Sequence, residues 1–186
     1  MIKRLAAFDF DGTLINSPEK EEGKIQWQEK TGHPYPHMGW WGRPESLDLN
    51  VFDIKPFPIV LHQLEREQSI PDTFVIVLTS RQEKLRPQVQ AVLDANNIHV
   101  DKLDMKYDWK DKGQKILNYI KQFPDLVEIN VYDDMEEHII AYDAIRSQMP
   151  EGISFNVYHA NKGDLVLTES LIKILNIIND EIENLI

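Results

Sequence analysis

Leu5-Ala6-Ala7-Phe8-Asp9-Phe10-Asp11-Gly12-Thr13-Leu14 is the stretch on which the reading of this chain turns. A short apolar run ends abruptly in two aspartates. Lys3 and Arg4 precede it, as basic residues precede the core of a secretory leader, but the run is far too short for one and reads as a first β-strand. Asp-x-Asp-Gly-Thr arises by chance in about one chain in several hundred of this length. Strand alternation turns aspartates at i and i+2 toward the same side. Gly12 lets the chain depart sharply behind them.

The same pattern repeats further along. Phe74-Val75-Ile76-Val77-Leu78 leads into Thr79-Ser80-Arg81, Ile129-Asn130-Val131-Tyr132 into Asp133-Asp134, and Ile153-Ser154-Phe155-Asn156-Val157-Tyr158 into His159. Runs this short and β-branched read as buried strands. Helical patterns over 57–69, 83–96, 112–123, 136–147 and 167–185 separate or follow them. Alternation of this kind predicts an α/β fold, Rossmann-like, with a mostly parallel sheet covered on both faces. The ligand site of such a sheet lies outside the carboxyl ends of its strands, where these polar residues fall.

Residues 17–56 interrupt the alternation with dense Gly and Pro and with three of the four tryptophans. They read as a small cap inserted after the first strand, with one helix near 20–30, on a core of 1–16 and 57–186. The apolar face Leu167, Leu171, Ile174, Leu175, Ile178, Ile182 and Leu185 predicts a last helix packed on the sheet. Ile172 and Ile177 leave monomer and homodimer both open.

The 186 residues are 42% hydrophobic and 27% charged, enough for one domain with a sizeable core and a small insertion. There are no cysteines, which excludes disulfides, thiolate metal sites and cysteine nucleophiles. With no run long enough for a membrane span, the expectation is a cytoplasmic protein. A net charge of −11 opposes nonspecific binding of long duplexes, while small anionic substrates and nucleic-acid ends remain open.

Paired aspartates suit phosphoryl chemistry: one attacks phosphorus, and its partner protonates the leaving oxygen and then activates water. Two carboxylates beside a phosphate need a cation. Mg²⁺ takes oxygen ligands and only one or two protein carboxylates, and Asp133-Asp134 supplies the missing acid, with Asp133 favoured as direct ligand. The transferring group also needs donors. Thr79 offers a hydroxyl, Ser80 and Arg81 assist, and Lys112 is the best placed lysine, with Lys106 and Lys115 as rivals.

The ordered set Asp9-x-Asp11-Gly12-Thr13, Thr79, Lys112, Asp133-Asp134 resembles the haloacid dehalogenase (HAD) superfamily. That resemblance implies a HAD-like three-layer sandwich, Mg²⁺, Asp9 as nucleophile and Asp11 as acid/base. It also implies metal ligation by Asp9, by the Asp11 main-chain carbonyl and by an acid of the Asp133-Asp134 pair. An aspartate two places after the nucleophile is typical of the superfamily's phosphatases. Gly39-Trp40-Trp41, Thr79-Ser80-Arg81 and Tyr132-Asp133-Asp134 with His138 are similar to the branch found in RNA-repair-type proteins. This chain differs from that branch in having Ser80 for its glycine and Asp111 for its aromatic residue.

The expected function is therefore phosphomonoester hydrolysis. Trp40 and Trp41 are candidates to stack on a base and Arg43 to meet a second phosphate, so a nucleotide or a nucleic-acid end ranks above a sugar phosphate. A mini-core role for the tryptophans, a phosphotransferase and a non-catalytic binding protein on the same core are the competing readings.

Overall fold

Six strands form one sheet in the order β5-β4-β1-β6-β7-β8. They are β1 (Arg4–Phe8), β4 (Thr73–Gln82), β5 (Lys102–Lys106), β6 (Glu128–Asp133), β7 (Ser154–Asn161) and β8 (Asp164–Leu167). The computed structural model describes residues 1–107 and 111–168. All neighbouring strands are parallel except β7 and β8, which form an antiparallel hairpin. The chain builds outward from β1 through β4 to β5, then returns to the other side of β1 for β6 and β7. The direction of winding therefore changes at β1, and in open α/β sheets that switch point is where ligands bind.

Alternation within the strands sorts the core into two layers. Ala6 and Phe8 of β1 face one side with Val75 and Val77 of β4, under α2 (Pro58–Ser69) and α3 (Arg86–Ala95). Leu5, Ala7, Ile76 and Leu78 face the other, under α4 (Lys112–Gln122) and α5 (Glu136–Ala144). Each of these side chains larger than alanine contributes about 1.5–3 kcal/mol by burial. The result is the three-layer arrangement that the alternation predicts. Proline opens both α2 and α3, where its fixed φ suits the first helical turn and its missing N–H costs nothing.

The first layer also holds a polar group. Glu67 is buried and accepts hydrogen bonds from Tyr132 Oη (2.7 Å), Asn130 Nδ2 (2.8 Å) and Arg4 Nη2 (3.1 Å). Tyr132 itself is stacked between Phe8 and Tyr158, with ring centroids 4.2 and 4.7 Å away. These contacts fix the end of β6, the strand that carries Asp133.

Two strands of the six-stranded sheet escape the sequence reading. Lys102-Leu103-Asp104-Met105-Lys106 alternates polar and apolar residues, which is what an edge strand requires but looks unlike the buried runs of the centre. β8 is a four-residue edge strand. The helix expected at 167–185 lies, apart from its first two residues, outside the described residues. Of those two, Leu167 ends β8 instead of opening a helix.

After β1 the chain makes a two-strand ribbon of β2 (Ile15–Asn16) and β3 (Lys55–Pro56), which brackets the inserted segment. Within it are α1 (Lys20–Thr31) and a 3₁₀ turn, Pro44–Leu47. Trp40, Leu47, Phe52 and Ile54 join the core beneath α2 and α3 instead of forming a detached lobe. Among the described residues, no helix is long and apolar enough to cross a membrane.

Gly23 of α1 lies flat against the Trp40 indole: a Cβ there would sit 2.2 Å from Trp40 Cζ2. Gly23→Ala gains up to about 1 kcal/mol in helix propensity but must displace a fully packed ring, which costs about 1–3 kcal/mol. Net destabilisation in urea, with a red-shifted tryptophan emission, is the expected result. A stabilised variant would show that Trp40 gives way freely.

Candidate active site

Parallel register brings the acids together. Phe8 pairs with Val77 on one side and Tyr132 on the other, so the next residues, Asp9, Leu78 and Asp133, come level at the carboxyl edge. Asp9 N–H still bonds to Tyr132 O at 2.9 Å. Beyond it the chain turns back on itself, with Leu14 N–H on Asp9 O and Ile15 N–H on Phe10 O. Gly12 sits in this turn at φ +73°, and a Cβ on it would meet Asp134 Oδ2 at 2.3 Å. Only glycine allows both the turn and the close approach of Asp134.

Lys112, the first residue of α4, reaches into the gap between the strands. Its ammonium donates to Asp9 Oδ1 at 2.6 Å and Asp133 Oδ2 at 2.7 Å. Asp111 caps the helix by accepting from Gln114 N–H at 2.8 Å, which anchors the helix start from which Lys112 projects. The two lysines that rivalled it in sequence go elsewhere. Lys115 pairs with Asp104 at 2.6 Å, and Lys106 is exposed at the end of β5.

Burial pushes the Asp9 carboxyl well above the ordinary carboxylate range despite the pull of Lys112, and repulsion from Asp133 adds to the rise. Burial also opposes the charge on Lys112, but the two carboxylates outweigh it and raise its pKa. Burial works against Asp133 as well, yet Lys112 and His138 hold it below its usual value. Asp134 is raised by burial and then by its neighbour Asp133, against a hydrogen bond from Thr13 Oγ1 at 3.0 Å.

Asp133 is the most tightly held acid of the site. Met135 N–H and His138 Nδ1 lie 3.1 and 2.9 Å from Oδ1, and Tyr142 Oη donates to Oδ2 at 3.3 Å. His138 Nε2 lies 3.3 Å from Ser80 Oγ. His138 thus links the end of β4 to the acid of β6, a structural contact of the kind its place on an apolar helix face allows. Tyr142 had no signal in sequence, since a tyrosine in a helix reads as ordinary packing.

The Asp11 side chain is turned away from this cluster. Arg81 Nε and Nη2 grip its two oxygens at 2.7 and 2.8 Å, and Ser17 Oγ donates to Oδ1 at 2.6 Å. Arg81 Nη1 donates onward to Ser46 Oγ (2.8 Å) and Trp41 O (3.1 Å) in the inserted segment. Ser17 and Ser46 had no sequence signal either, because each acts through a single hydroxyl brought up by the turn of the insert.

Arg81 can do this because β4 is longer than its apolar run. The strand continues to Gln82, and its pairing jumps from Leu78 to Gln82 while β5 advances only from Asp104 to Lys106. The bulge re-aims Thr79, Ser80 and Arg81 toward the site. Thr79 Oγ1 accepts from Arg81 N–H at 3.1 Å, leaving its own proton free to donate.

The tryptophans part company. Trp40 is 2% exposed, bonds through Nε1 to Pro18 O at 2.9 Å, and packs on Tyr35 and Phe52. It has no face open to a ligand, so the expectation that it binds substrate is corrected: it builds the core of the insert. Trp41 is 40% exposed, with the Arg81 guanidinium 5.4 Å from its ring centre. Arg43 is exposed two residues on.

Among the described residues, the side-chain donors close enough to share a metal ion are those of Asp9, Asp133 and His138. Of these, the carboxylate oxygens of Asp9 and Asp133 suit a hard cation such as Mg²⁺, which prefers oxygen to the imidazole nitrogens of His138. The Asp11 main-chain carbonyl accepts no hydrogen bond from the described residues. The carboxylates of Asp11 and Asp134 do not fall in that cluster.

Replacing Lys112 by Met leaves two buried carboxylates without a cation. The expected loss is about 3–5 kcal/mol at pH 7, read from urea unfolding in EDTA. In that variant both acids are raised above their unfolded values. Their cost is full at neutral pH and fades as pH falls toward the ordinary carboxylate range of about 4. A loss independent of pH would contradict this assignment.

No protein-family model matches the chain. An uncharacterised protein of Saccharomyces cerevisiae, YMR265C, is 26% identical over 168 residues, which cover 76% of this chain. The match spans 36% of that relative's length, about a third of it. Solved structures agree in fold. The HAD domain of effector protein Lem4 from Legionella pneumophila has a TM-score of 0.54 at 13% identity, over 94% of this chain and 95% of that one. The haloacid dehalogenase-like family hydrolase SP0104 from Streptococcus pneumoniae has 0.52 at 16%, over 83% of both chains. A chain of the Pnkp1/Rnl/Hen1 RNA repair complex has 0.51 at 15%, over 88% of this chain and 44% of that one.

Proposed function

We propose, from the haloacid dehalogenase-like fold of this chain, that it is a Mg²⁺-dependent phosphomonoester hydrolase acting on a nucleotide or a nucleic-acid terminal phosphate. The observation that carries the reading is the Lys112 ammonium, 2.6 Å from Asp9 and 2.7 Å from Asp133 at the switch point of the sheet. Asp9 Oδ1 is held by Lys112, while Oδ2 accepts no hydrogen bond from the described residues and keeps its lone pairs for attack on phosphorus. Asp9, Asp133 and the Asp11 carbonyl would hold Mg²⁺, which supplies charge neutralisation for the incoming phosphate.

In this mechanism Asp9 displaces the leaving oxygen and becomes an aspartyl-phosphate, and Asp11 gives that oxygen a proton. Asp11 then removes a proton from the water that frees Asp9. Thr79 and Lys112 donate to the phosphoryl oxygens. Arg81 bonds both oxygens of Asp11, so Asp11 must leave that grip and take up a proton from solvent before it can donate one to the leaving oxygen. An arriving phosphate is the natural competitor for the guanidinium. The half-exposed Trp41 ring beside Arg81 supports an aromatic base next to the phosphate.

The test is phosphate release with Mg²⁺ from nucleoside 5′- and 3′-monophosphates, phosphate-terminated oligonucleotides and sugar phosphates. Turnover should vanish in EDTA and fall by at least about 10³-fold in Asp9→Asn. Equal turnover by the variant would remove Asp9 as nucleophile. A sugar phosphate as best substrate would overturn the nucleotide assignment.

A further inference from the structure

Two cations flanking Trp41 and Arg81 in sequence are without an ion pair among the described residues. Arg81 is paired with Asp11 and Arg86 with Glu83, and His37 lies against Glu45. Among the described residues, neither Arg43 nor Lys84 has an ion-pair partner, in a chain whose net charge is −11. They line one cavity of about 300 Å³ together with Gly42, Pro44, Leu85 and Gln88. Pro44 and Gln88 also wall a second, larger groove of about 450 Å³ between the 3₁₀ turn and α3. Cations line the smaller lobe. The acids Glu45 and Asp48 line only the larger, beside apolar Leu47, Pro87 and Ala91.

The larger lobe asks for hydrogen-bond donors. Gln88 Oε1 and Glu45 Oε2 are both buried with no partner, and both are acceptors on residues that line it. A buried acceptor left unpaired is costly, so a ligand bearing N–H groups on a flat apolar body satisfies what the protein leaves open once these side chains turn toward the groove. The smaller lobe asks for an anion. Both lobes adjoin the catalytic groups through one hydrogen-bonded chain. Asp11 is bound to Arg81 at 2.8 Å, and Arg81 to Ser46 at 2.8 Å, within the turn that carries Pro44 and Glu45. Gly42 and Arg43 directly follow Trp41, and Lys84 is three residues after Arg81.

Resting on the phosphatase reading above, we infer that Arg43 and Lys84 form a second phosphate subsite. It takes the first internal phosphodiester of a single-stranded nucleic acid whose terminal phosphate lies at Asp9. The base beside the scissile phosphate stacks on Trp41. The next nucleoside enters the Gln88 groove with its amine edge toward the free acceptors. The substrate is therefore a polynucleotide end in preference to a mononucleotide.

The experiment measures kcat/KM on phosphate-terminated single-stranded oligonucleotides of one to six nucleotides, in 5′- and 3′-phosphate series. In one series the wild type gains about tenfold or more between one nucleotide and three, the worth of one charge-assisted contact. In the Arg43→Ala/Lys84→Ala variant the ratio of trinucleotide to mononucleotide falls toward one. A profile flat with length, or a ratio the variant retains, overturns the subsite.

A second measurement needs no turnover. Anisotropy of a labelled, phosphate-terminated hexanucleotide on the Asp9→Asn protein gives the dependence of log K on log salt. Losing two phosphate contacts lowers the magnitude of that slope by about 1.4 on single strands. An unchanged slope overturns the subsite. If the wild type hydrolyses no ester at all, the phosphatase reading fails, and the slope alone decides this one.

Discussion

A single ammonium set between two buried carboxylates is the contact on which the site is built. Asp9 and Asp133 end adjacent parallel strands, and register forces them level, so their charges cannot be kept apart by distance. Buried like charges raise one another's pKa and destabilise the fold unless a cation intervenes. Lys112 is that cation, and α4 has to begin where its side chain can reach both. The Asp111 cap, the Tyr142 hydroxyl and the His138 ring are further consequences, since each secures either the helix that brings Lys112 or the acid it must meet.

A second tie, through Arg81, makes the inserted segment part of the candidate site. One planar guanidinium spans the Asp11 carboxylate, the Ser46 hydroxyl and the Trp41 carbonyl. Lysine, with a compact point charge, has no fork to span them. The position of the insert and the orientation of Asp11 are therefore set by the same side chain. The cost falls on β4, whose pairing with β5 is broken by a bulge where Thr79, Ser80 and Arg81 turn toward the site. Local disruption of a ladder next to an active site is a recurrent way of aiming side chains.

How much of this was readable along the chain varied with the range of the interaction involved. β1 and its aspartates could be read because strand, turn glycine and acids are contiguous. β5 could not, because Lys102-Leu103-Asp104-Met105-Lys106 is an edge strand whose polar residues serve solvent and Lys115, and nothing local distinguishes that from a loop. Lys112 and Lys115 lie three residues apart on one helix and are equivalent by spacing. Only the packing of α4 sends the first to Asp9 and the second to Asp104. Trp40 and Trp41 are identical neighbours. A bend in the insert buries one under α1 and leaves the other beside Arg81.

The sequence by itself determined the fold class, the central strands and their polar ends, and the residue types gathered in the candidate site. Each of these follows from side-chain period and from turn residues a few positions apart. The tertiary structure alone decided which lysine is the counter-ion, which tryptophan is exposed, and that Arg81 and Ser17 converge on Asp11 while Ser46 holds Arg81. Those outcomes depend on groups up to 103 positions apart, such as Lys112 and Asp9. A contact over that separation is set by strand register and helix packing, and neither is written in any local stretch of the chain.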